Sequence, residues 1–134
     1  MIIERETVIL DVDEARELLS LQNVGRLALC ANDLPDIFPV NFITAGDDIL
    51  IRTDAGVKTR LIAANPNVAF EVDDTDPDYA WSVVAKGVAE IVDQPPAVRS
   101  ATSSPLWAWA PEPSEIFVRV HISDISGRRF NRRQ

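Results

Sequence analysis

The sequence predicts a mainly β protein with two inserted helices, folded as a closed or nearly closed antiparallel barrel. Short apolar runs with alternating side-chain character recur along the chain, and residues typical of turns bound each run. Two other stretches have helical periodicity. The connections between consecutive strands are short, which favours antiparallel pairing, and closure of the sheet removes its bare edges.

The first helix is predicted at Asp13–Gln22, where apolar residues recur at helical spacing. Asp11 or Asp13 can cap its start. The exit of this helix is expected at Asn23–Gly25, with Gly25 free to adopt positive φ. The first strand of the barrel is then expected at Arg26–Ala31.

The next elements form a meander followed by the second helix. A turn at Asn32–Pro35 leads into a strand at Ile37–Thr44, and a hairpin turn at Gly46–Asp48 leads into a strand at Ile49–Arg52. The second helix is expected to begin after Gly56 and to continue to about Ala64, because Pro66 disfavours helical geometry at the residue before it.

The remaining strands complete a set of about six. A strand at Val68–Val72 precedes an acidic loop at Asp73–Asp78, for which a solvated loop is favoured over a cation site because calcium-loop spacing is absent. A long strand at Trp81–Val92 is expected to bend at Gly87. Residues Gln94–Pro113, with five prolines, are expected to be irregular, and Ile116–Ile122 to form the last strand.

Composition limits the possible functions. The 134 residues fit one domain spanning 1–134, and the net charge of −8 argues against nucleic acid or an anionic membrane as the main partner. The N-terminus lacks the pattern of a signal peptide and no apolar run could span a membrane, so a cytoplasmic protein is expected. Cys30 is expected to be a buried small hydrophobe. One cysteine and one histidine cannot form a zinc site of the usual kind, so no metal is expected.

The most informative stretch is Ile49–Asn67, in which an apolar strand meets a polar turn that opens a helix. The first backbone N–H groups of a helix have no internal partners, and the helix dipole adds positive charge there. Lys58 and Arg60 lie in the first turns, close to Arg52 and Thr53. This combination predicts a phosphate site. The alternative is an ordinary strand-to-helix junction with solvated basic residues.

Five segments, taken in order, resemble the pyridoxamine 5′-phosphate oxidase-like flavin-binding family, in particular its small nitroimidazole-reductase-like branch. The segments are VGRLAL at Val24–Leu29, PVNF at Pro39–Phe42, ILIRTDAGVKTRLIAANPNVAFEVDD at Ile49–Asp74, WSVVAKGVAEIV at Trp81–Val92 and ISGRRF at Ile125–Phe130. The resemblance implies a six-stranded antiparallel split β-barrel that forms a homodimer, with two flavin sites at the subunit interface.

The resemblance also implies which residues bind the cofactor. The flavin phosphate is expected at the turn and helix start, and the ring along the PVNF strand, where Asn41 offers a donor and an acceptor and Pro39 suggests the start of an edge strand. A third group is expected to line the pocket, in some relatives from the partner subunit. The residues are Arg52, Thr53, Gly56, Val57 and Lys58 for the phosphate, Pro39, Val40, Asn41 and Phe42 for the ring, and Trp81, Ser82 and Val83 for the pocket.

The function implied is an FMN-dependent oxidoreductase of a small-molecule substrate that the sequence does not identify, with no residue that stands out as a catalytic acid or base. The deazaflavin F420 is the alternative cofactor, and its acidic tail would need a groove that Arg128 and Arg129 could extend. A module that binds flavin or haem without turnover, with His121 as a weak candidate axial ligand, is a second alternative. A dimeric structural protein with a degenerate pocket is the third.

Several single residues also have structural interpretations. Asn41 could satisfy the barrel interior, Trp81 could belong to the core or the dimer interface, and Ser82 is expected to be a strand hydroxyl without a nucleophilic role. A structural role is favoured for His121. The last few residues of the basic C-terminus are expected to be frayed. The three tryptophans and the apolar segment Leu106–Trp109 suggest an interface between two copies.

Overall fold

The computed structural model describes residues 7–92 and 115–132 and contains a single antiparallel sheet that curls into a ring. Strands β4, β3, β2, β5, β6 and β7 follow one another around this ring, and pairing between β6 and β7 closes it. This confirms the predicted mainly β, six-stranded barrel. A further strand, β1, was not predicted and pairs with the outer edge of β7. The elements are β1 Thr7–Leu10, α1 Val12–Ser20, β2 Val24–Ala31, β3 Leu34–Ala45, β4 Asp48–Asp54, α2 Val57–Ala64, β5 Asn67–Thr75, β6 Tyr79–Val92 and β7 Glu115–Asn131.

Strand β7 is the longest strand and connects the two ends of the ring. Its first half pairs with β4, from Asp54 opposite Glu115 to Asp48 opposite His121. Strand β6 pairs with the other side of β7 along nearly its whole length, from Phe117 to Asn131, and β1 pairs with Gly127–Phe130 on the same side as β4. The prediction that this strand ends at Ile122 was therefore too short, because the chain stays hydrogen-bonded in the sheet as far as Asn131.

The core contains the inward-facing side chains of every strand of the ring. Phe42 and Phe70 are both fully buried, and their rings meet edge to face with centroids 4.7 Å apart. Gly25 lies beside this pair within β2, directly opposite Val40, and its φ is not positive. The prediction that Gly25 ends the first helix was wrong: α1 ends at Ser20. A Cβ at Gly25 would lie 2.8 Å from Phe70 Cε2 and closer still to Cζ, so close packing explains the glycine.

Both predicted helices are present and cover parts of the barrel. Asp11 caps α1, since its Oδ1 accepts a hydrogen bond of 2.8 Å from the backbone N–H of Glu14. Ala15 and Leu19 bury the inner face of this helix. The end of α2 is tied to β2 by the side chain of Asn65, whose Nδ2 donates to the carbonyl oxygen of Cys30 at 2.8 Å.

The bend predicted at Gly87 is confirmed by a shift of register between Lys86 and Gly87 in the pairing of β6 with β7. A Cβ on Gly87 would collide with the backbone carbonyl of His121, so only glycine fits where the two strands approach most closely.

Several local predictions need correction. Cys30 is exposed, because it alternates with the buried residues Leu29 and Ala31 and therefore faces outward. The first hairpin turn consists of Asn32 and Asp33 alone, both with positive φ, so Pro35 already belongs to β3. Strand β5 continues to Thr75, which leaves a shorter acidic loop than expected. Residues 94–113, with Trp107 and Trp109, lie outside the described residues. Neither described helix is long and apolar enough to cross a membrane.

Candidate functional site

The PVNF segment lies in the middle of β3, and its side chains alternate between the core and the outer surface. Val40 and Phe42 are buried, so these two residues can offer a ligand only their backbone. The backbone N–H of Phe42 already donates to the carbonyl oxygen of Asn23 at 3.0 Å. Pro39 and Asn41 are exposed on the outer face. The outer face of β3 therefore presents Pro39 and Asn41 to any ligand that lies along this strand.

The residues predicted to bind the phosphate begin directly beside Asn41. Arg52 is opposite Asn41 in the pairing of β3 with β4, so the two side chains share the outer face. Arg52 is only 5% exposed and Thr53 only 9%, and Arg52 has interactions within the protein. Both residues are therefore almost fully buried at the end of β4. The solvent-facing part of the predicted phosphate site is the start of α2.

The start of α2 has the local features of an anion site. Gly56 has a φ of 135°, which disfavours any other residue, and no described atom lies within 4 Å of the position where its Cβ would be. The first turn of this helix contains no acidic residue. Lys58 and Arg60 bring two positive charges, and Val57 is half exposed. The turn thus combines open space, helix N–H groups and local positive charge.

Phe38 links this turn to β3, and it was not among the predicted site residues. The ammonium group of Lys58 lies 4.8 Å from the centroid of the Phe38 ring, within the range of a cation–π interaction. Phe38 itself packs against the main core. The alternation that places Val40 and Phe42 inward also includes Phe38, but the sequence gives no sign of its contact with Lys58.

The residues predicted to line the pocket, Trp81, Ser82 and Val83, lie elsewhere on the barrel. Val83 is fully buried and Trp81 packs against the core, so only Ser82 of this trio faces outward. Strand β6 is three strand positions from β3 around the ring. At about 4.8 Å for each step, Asn41 and Ser82 are separated by roughly 14 Å of curved outer surface. One chain therefore does not bring Ser82 together with the other predicted residues.

A charged cluster that the sequence analysis missed occupies the surface between them. Arg26 is opposite Pro39 on one side and opposite Glu71 on the other. Its Nη1 lies 3.1 Å from Glu71 Oε1 and 3.6 Å from Asp73 Oδ1, and Asp73 is opposite Ser82. The alternation of side chains along each strand predicts that these three residues face outward. Only the pairing of β2 with β5 brings them together.

The cluster has an unusual acid–base property. Partial burial, a hydrogen bond to Asp73 and the negative charge of Asp73 raise the pKa of Glu71 from 4.5 to about 7, while Arg26 acts in the opposite direction. Glu71 therefore exchanges a proton near neutral pH, on the same face of the sheet as Pro39 and Asn41.

His121 lies away from these residues and is held by two carboxylates. Its Nδ1 is 3.4 Å from Asp48 Oδ1 and its Nε2 is 3.2 Å from Glu90 Oε1, while Arg119 also contacts Asp48 at 3.1 Å. Each ring nitrogen thus faces a carboxylate on a neighbouring strand. These contacts agree with the structural role favoured for His121 and leave no ring nitrogen directed toward open space.

The C-terminal arginines lie next to the third group. Arg128 is opposite Ser82, and Arg129 is opposite Trp81. The guanidinium of Arg129 lies over the ring of Tyr79 at 5.4 Å. Both arginines lie in the second half of β7, whereas the start of α2 follows Asp54, which is opposite Glu115 at the beginning of β7, so they are far apart along that strand in the same chain.

The family model described as pyridoxamine 5′-phosphate oxidase matches residues 11–129. The chain belongs to the pyridoxamine 5′-phosphate oxidase family. Rv0080, an uncharacterized protein of Mycobacterium tuberculosis, is 38% identical over 133 residues, which cover 94% of this chain and 87% of Rv0080. The match of the family model confirms the resemblance inferred from the five sequence segments.

Solved structures of similar proteins agree with the fold. A candidate pyridoxamine 5′-phosphate oxidase of Corynebacterium glutamicum is 37% identical, with a TM-score of 0.79, covering 94% of this chain and 99% of its own. An FAD-binding protein of Mycobacterium smegmatis is 35% identical, with a TM-score of 0.70 and coverage of 93% and 99%. A candidate 5-nitroimidazole antibiotic resistance protein of Bacteroides thetaiotaomicron shares the fold alone, since it is only 13% identical. Its TM-score is 0.78, and the match covers 96% of this chain and 90% of that protein.

Proposed function

We propose that this protein is a flavin-dependent oxidoreductase that binds FMN between two copies of the chain. Membership of a family with flavin-binding relatives supports a flavin, and the start of α2 supports a terminal phosphate. The flavin would supply the electron-transfer chemistry. The protein would bind the phosphate, orient the ring along β3 and restrict access to it.

The observation that carries this proposal is the start of α2. In a chain of net charge −8, this turn has Lys58 and Arg60, no acid in the first helical turn and an open space beside Gly56. A phosphate there would accept hydrogen bonds from helix N–H groups and a charge-assisted contact from Lys58. The cation–π contact with Phe38 holds the lysine beside β3, one residue before the PVNF segment in the chain.

A second copy of the chain would complete the site. The outer face of one barrel is convex, and Ser82 lies three strand positions from Asn41. Exposed apolar side chains also lie on the outer faces of β2 and β3, with Val24 at 53% and Ile37 at 61% exposure. Burying such residues against a partner is favourable. In a homodimer, the β6 residues of one copy could cover the β3 surface of the other.

FAD is a second candidate cofactor, because the M. smegmatis relative and a 25%-identical relative from Mesorhizobium loti are described as FAD-binding proteins. FAD would extend beyond the start of α2 and would need donors for its second phosphate. F420 would need a still longer basic groove. Among the described residues of one chain, Arg60 continues the positive charge beyond Lys58, whereas Arg128 and Arg129 lie far along β7 from the start of α2 and could contribute from a partner copy.

The test compares FMN with riboflavin, which lacks the phosphate. Lys58→Ala removes a charge-assisted hydrogen bond, commonly worth about 1.5–3 kcal/mol, so FMN affinity should fall roughly tenfold or more. Riboflavin affinity should change little. Arg16→Ala is the control, because it removes a positive charge from α1, where Arg16 pairs with Asp47 near the end of β4 opposite to the start of α2.

Fluorescence titration of the purified protein with both ligands gives two dissociation constants for each variant, one for FMN and one for riboflavin. Equal loss of FMN and riboflavin binding in Lys58→Ala would contradict the phosphate assignment. Mass spectrometry of the denatured protein distinguishes FMN, FAD and F420. An intense Soret band would indicate haem, and a colourless protein that binds no flavin would indicate a degenerate pocket.

A further inference from the structure

The Arg26–Glu71–Asp73 cluster lies on the surface where the flavin ring is proposed to bind. Arg26 is the register partner of Pro39, so its side chain emerges on the outer face beside the PVNF segment. Asp73, at the other end of the cluster, is the register partner of Ser82. The cluster therefore spans the gap between the two separated groups of predicted site residues.

The charges of the cluster are unbalanced. One guanidinium faces two carboxylates, at 3.1 Å from Glu71 and 3.6 Å from Asp73. The three side chains are 43%, 30% and 44% exposed, so Arg26 can reach a ligand and solvent can deliver protons. Lys86, diagonally across from Glu71 on β6, and Arg128, across Ser82 from Asp73, also lie on this outer face.

We propose that Arg26 contacts the oxygen-bearing edge of the bound flavin ring and that Glu71 takes up one proton when Arg26 turns from the carboxylates to the ligand. This proposal rests on the proposed flavin-binding function. A guanidinium donates hydrogen bonds to carbonyl oxygens as well as to carboxylates, and its five N–H donors are enough to contact a ligand and Asp73 together. The proposal thus assigns Arg26 to the site as a binding residue and Glu71 as its proton-linked partner.

The proton balance is simple. In the free protein above neutral pH, the Glu71 side chain is a carboxylate and shares Arg26 with Asp73. When Arg26 binds the ligand, the Glu71 carboxylate accepts one proton from solvent and the resulting acid donates a hydrogen bond to Asp73. No electrons move and no other bond is made or broken. The pKa of Glu71, already raised to about 7 by burial and by Asp73, makes this proton uptake possible near neutral pH, because loss of the Arg26 contact raises it further.

Calorimetry of FMN binding tests the proposal directly. Titrations at about pH 8 in two buffers with different ionisation enthalpies give the number of protons taken up. The wild-type protein should take up a substantial fraction of one proton, approaching one, and its FMN affinity should weaken with rising pH by up to tenfold per unit above neutrality. Glu71→Gln, which keeps the shape and cannot titrate, should bind FMN with little proton uptake and a flatter pH profile.

Two further variants separate this role from a purely structural one. Arg26→Ala should weaken FMN and riboflavin by similar factors, because Arg26 would contact the ring, whereas Lys58→Ala should affect FMN alone. Glu90→Gln is the matched control, because Glu90 is also an outer-face carboxylate paired with a nitrogen base, His121, away from β3. It should keep the wild-type proton uptake.

Wild-type FMN binding without proton uptake would overturn this proposal and leave the proposed function intact. Equal proton uptake in the wild type and in Glu71→Gln would also overturn it, as would unchanged affinity of both ligands in Arg26→Ala. Failure of every flavin to bind at any pH would reject the proposed function and this proposal together.

Discussion

Gly25→Ala should destabilise the barrel, although the position lies in a regular strand without positive φ. The added Cβ would lie 2.8 Å from Phe70 Cε2, closer to Phe70 Cζ, and 3.0 Å from the backbone oxygen of Glu71. Ordinary van der Waals contacts begin at 3.4 Å, so Cε2 alone must move by at least 0.6 Å. The Phe70 ring cannot move freely, because it is fully buried and packs edge-on against Phe42.

Two effects of opposite sign determine the magnitude. Replacing glycine by alanine restricts the unfolded chain and stabilises a compatible site by about 0.4–1 kcal/mol. Overpacking a well-filled core costs about 1–3 kcal/mol. Because the clash involves both a core ring and a backbone carbonyl, the second effect should dominate. The free energy of unfolding should fall by roughly 1–2 kcal/mol.

Urea denaturation of four proteins measures this effect and its cause: wild type, Gly25→Ala, Phe70→Leu and the double variant. Leucine lacks the ring edge that meets the new Cβ, so the double variant should be more stable than the sum of the single effects predicts, by at least about 0.5 kcal/mol. A neutral or stabilising Gly25→Ala, or strict additivity of the two substitutions, would refute the packing explanation for this glycine.

Two other predictions concern the outer face. A raised pKa means that the folded protein binds a proton at Glu71 more tightly than the unfolded chain, so this contribution is present at low pH and is lost as pH rises through about 7. Partial exposure of Glu71 screens the effect. Between pH 4.5 and 8, the free energy of unfolding measured by urea denaturation should therefore fall by roughly 1–2 kcal/mol more in the wild type than in Glu71→Gln. Parallel pH profiles of the two proteins would contradict this. Cys30 should react with a thiol reagent in the native protein as fully as in the unfolded chain, because it faces outward; reaction only after denaturation would place it in the core.

The fold was predictable because its determinants are local. Alternating apolar residues and turn residues gave the barrel strands, and Gly87 gave the bend in β6. The errors have a common physical origin in contacts between distant parts of the chain. Gly25 was assigned to a helix end because its close neighbour, Phe70, is 45 residues away. Strand β1 forms only because β7 continues to Asn131 and offers an edge to pair with.

The candidate site was predictable in part for the same reason. The start of α2 is continuous in sequence, so Gly56 and Lys58 could be assigned together. The Arg26–Glu71–Asp73 cluster was not predictable, because it exists only through the pairing of β2 with β5. The side chains of the predicted PVNF segment also alternate between the inner and the outer face. Pro39 and Asn41 are therefore its side chains on the outer face, where a ligand could contact them.

Sedimentation velocity with detection at a flavin wavelength most directly tests whether FMN binds between two copies of the chain. One chain has a mass of 14.8 kDa. With FMN added at micromolar concentration, the flavin absorbance should sediment with a species of twice that mass, at a ratio of one flavin per chain. Flavin that remains unbound, or flavin that sediments with a stable monomer, would contradict a site shared by two copies.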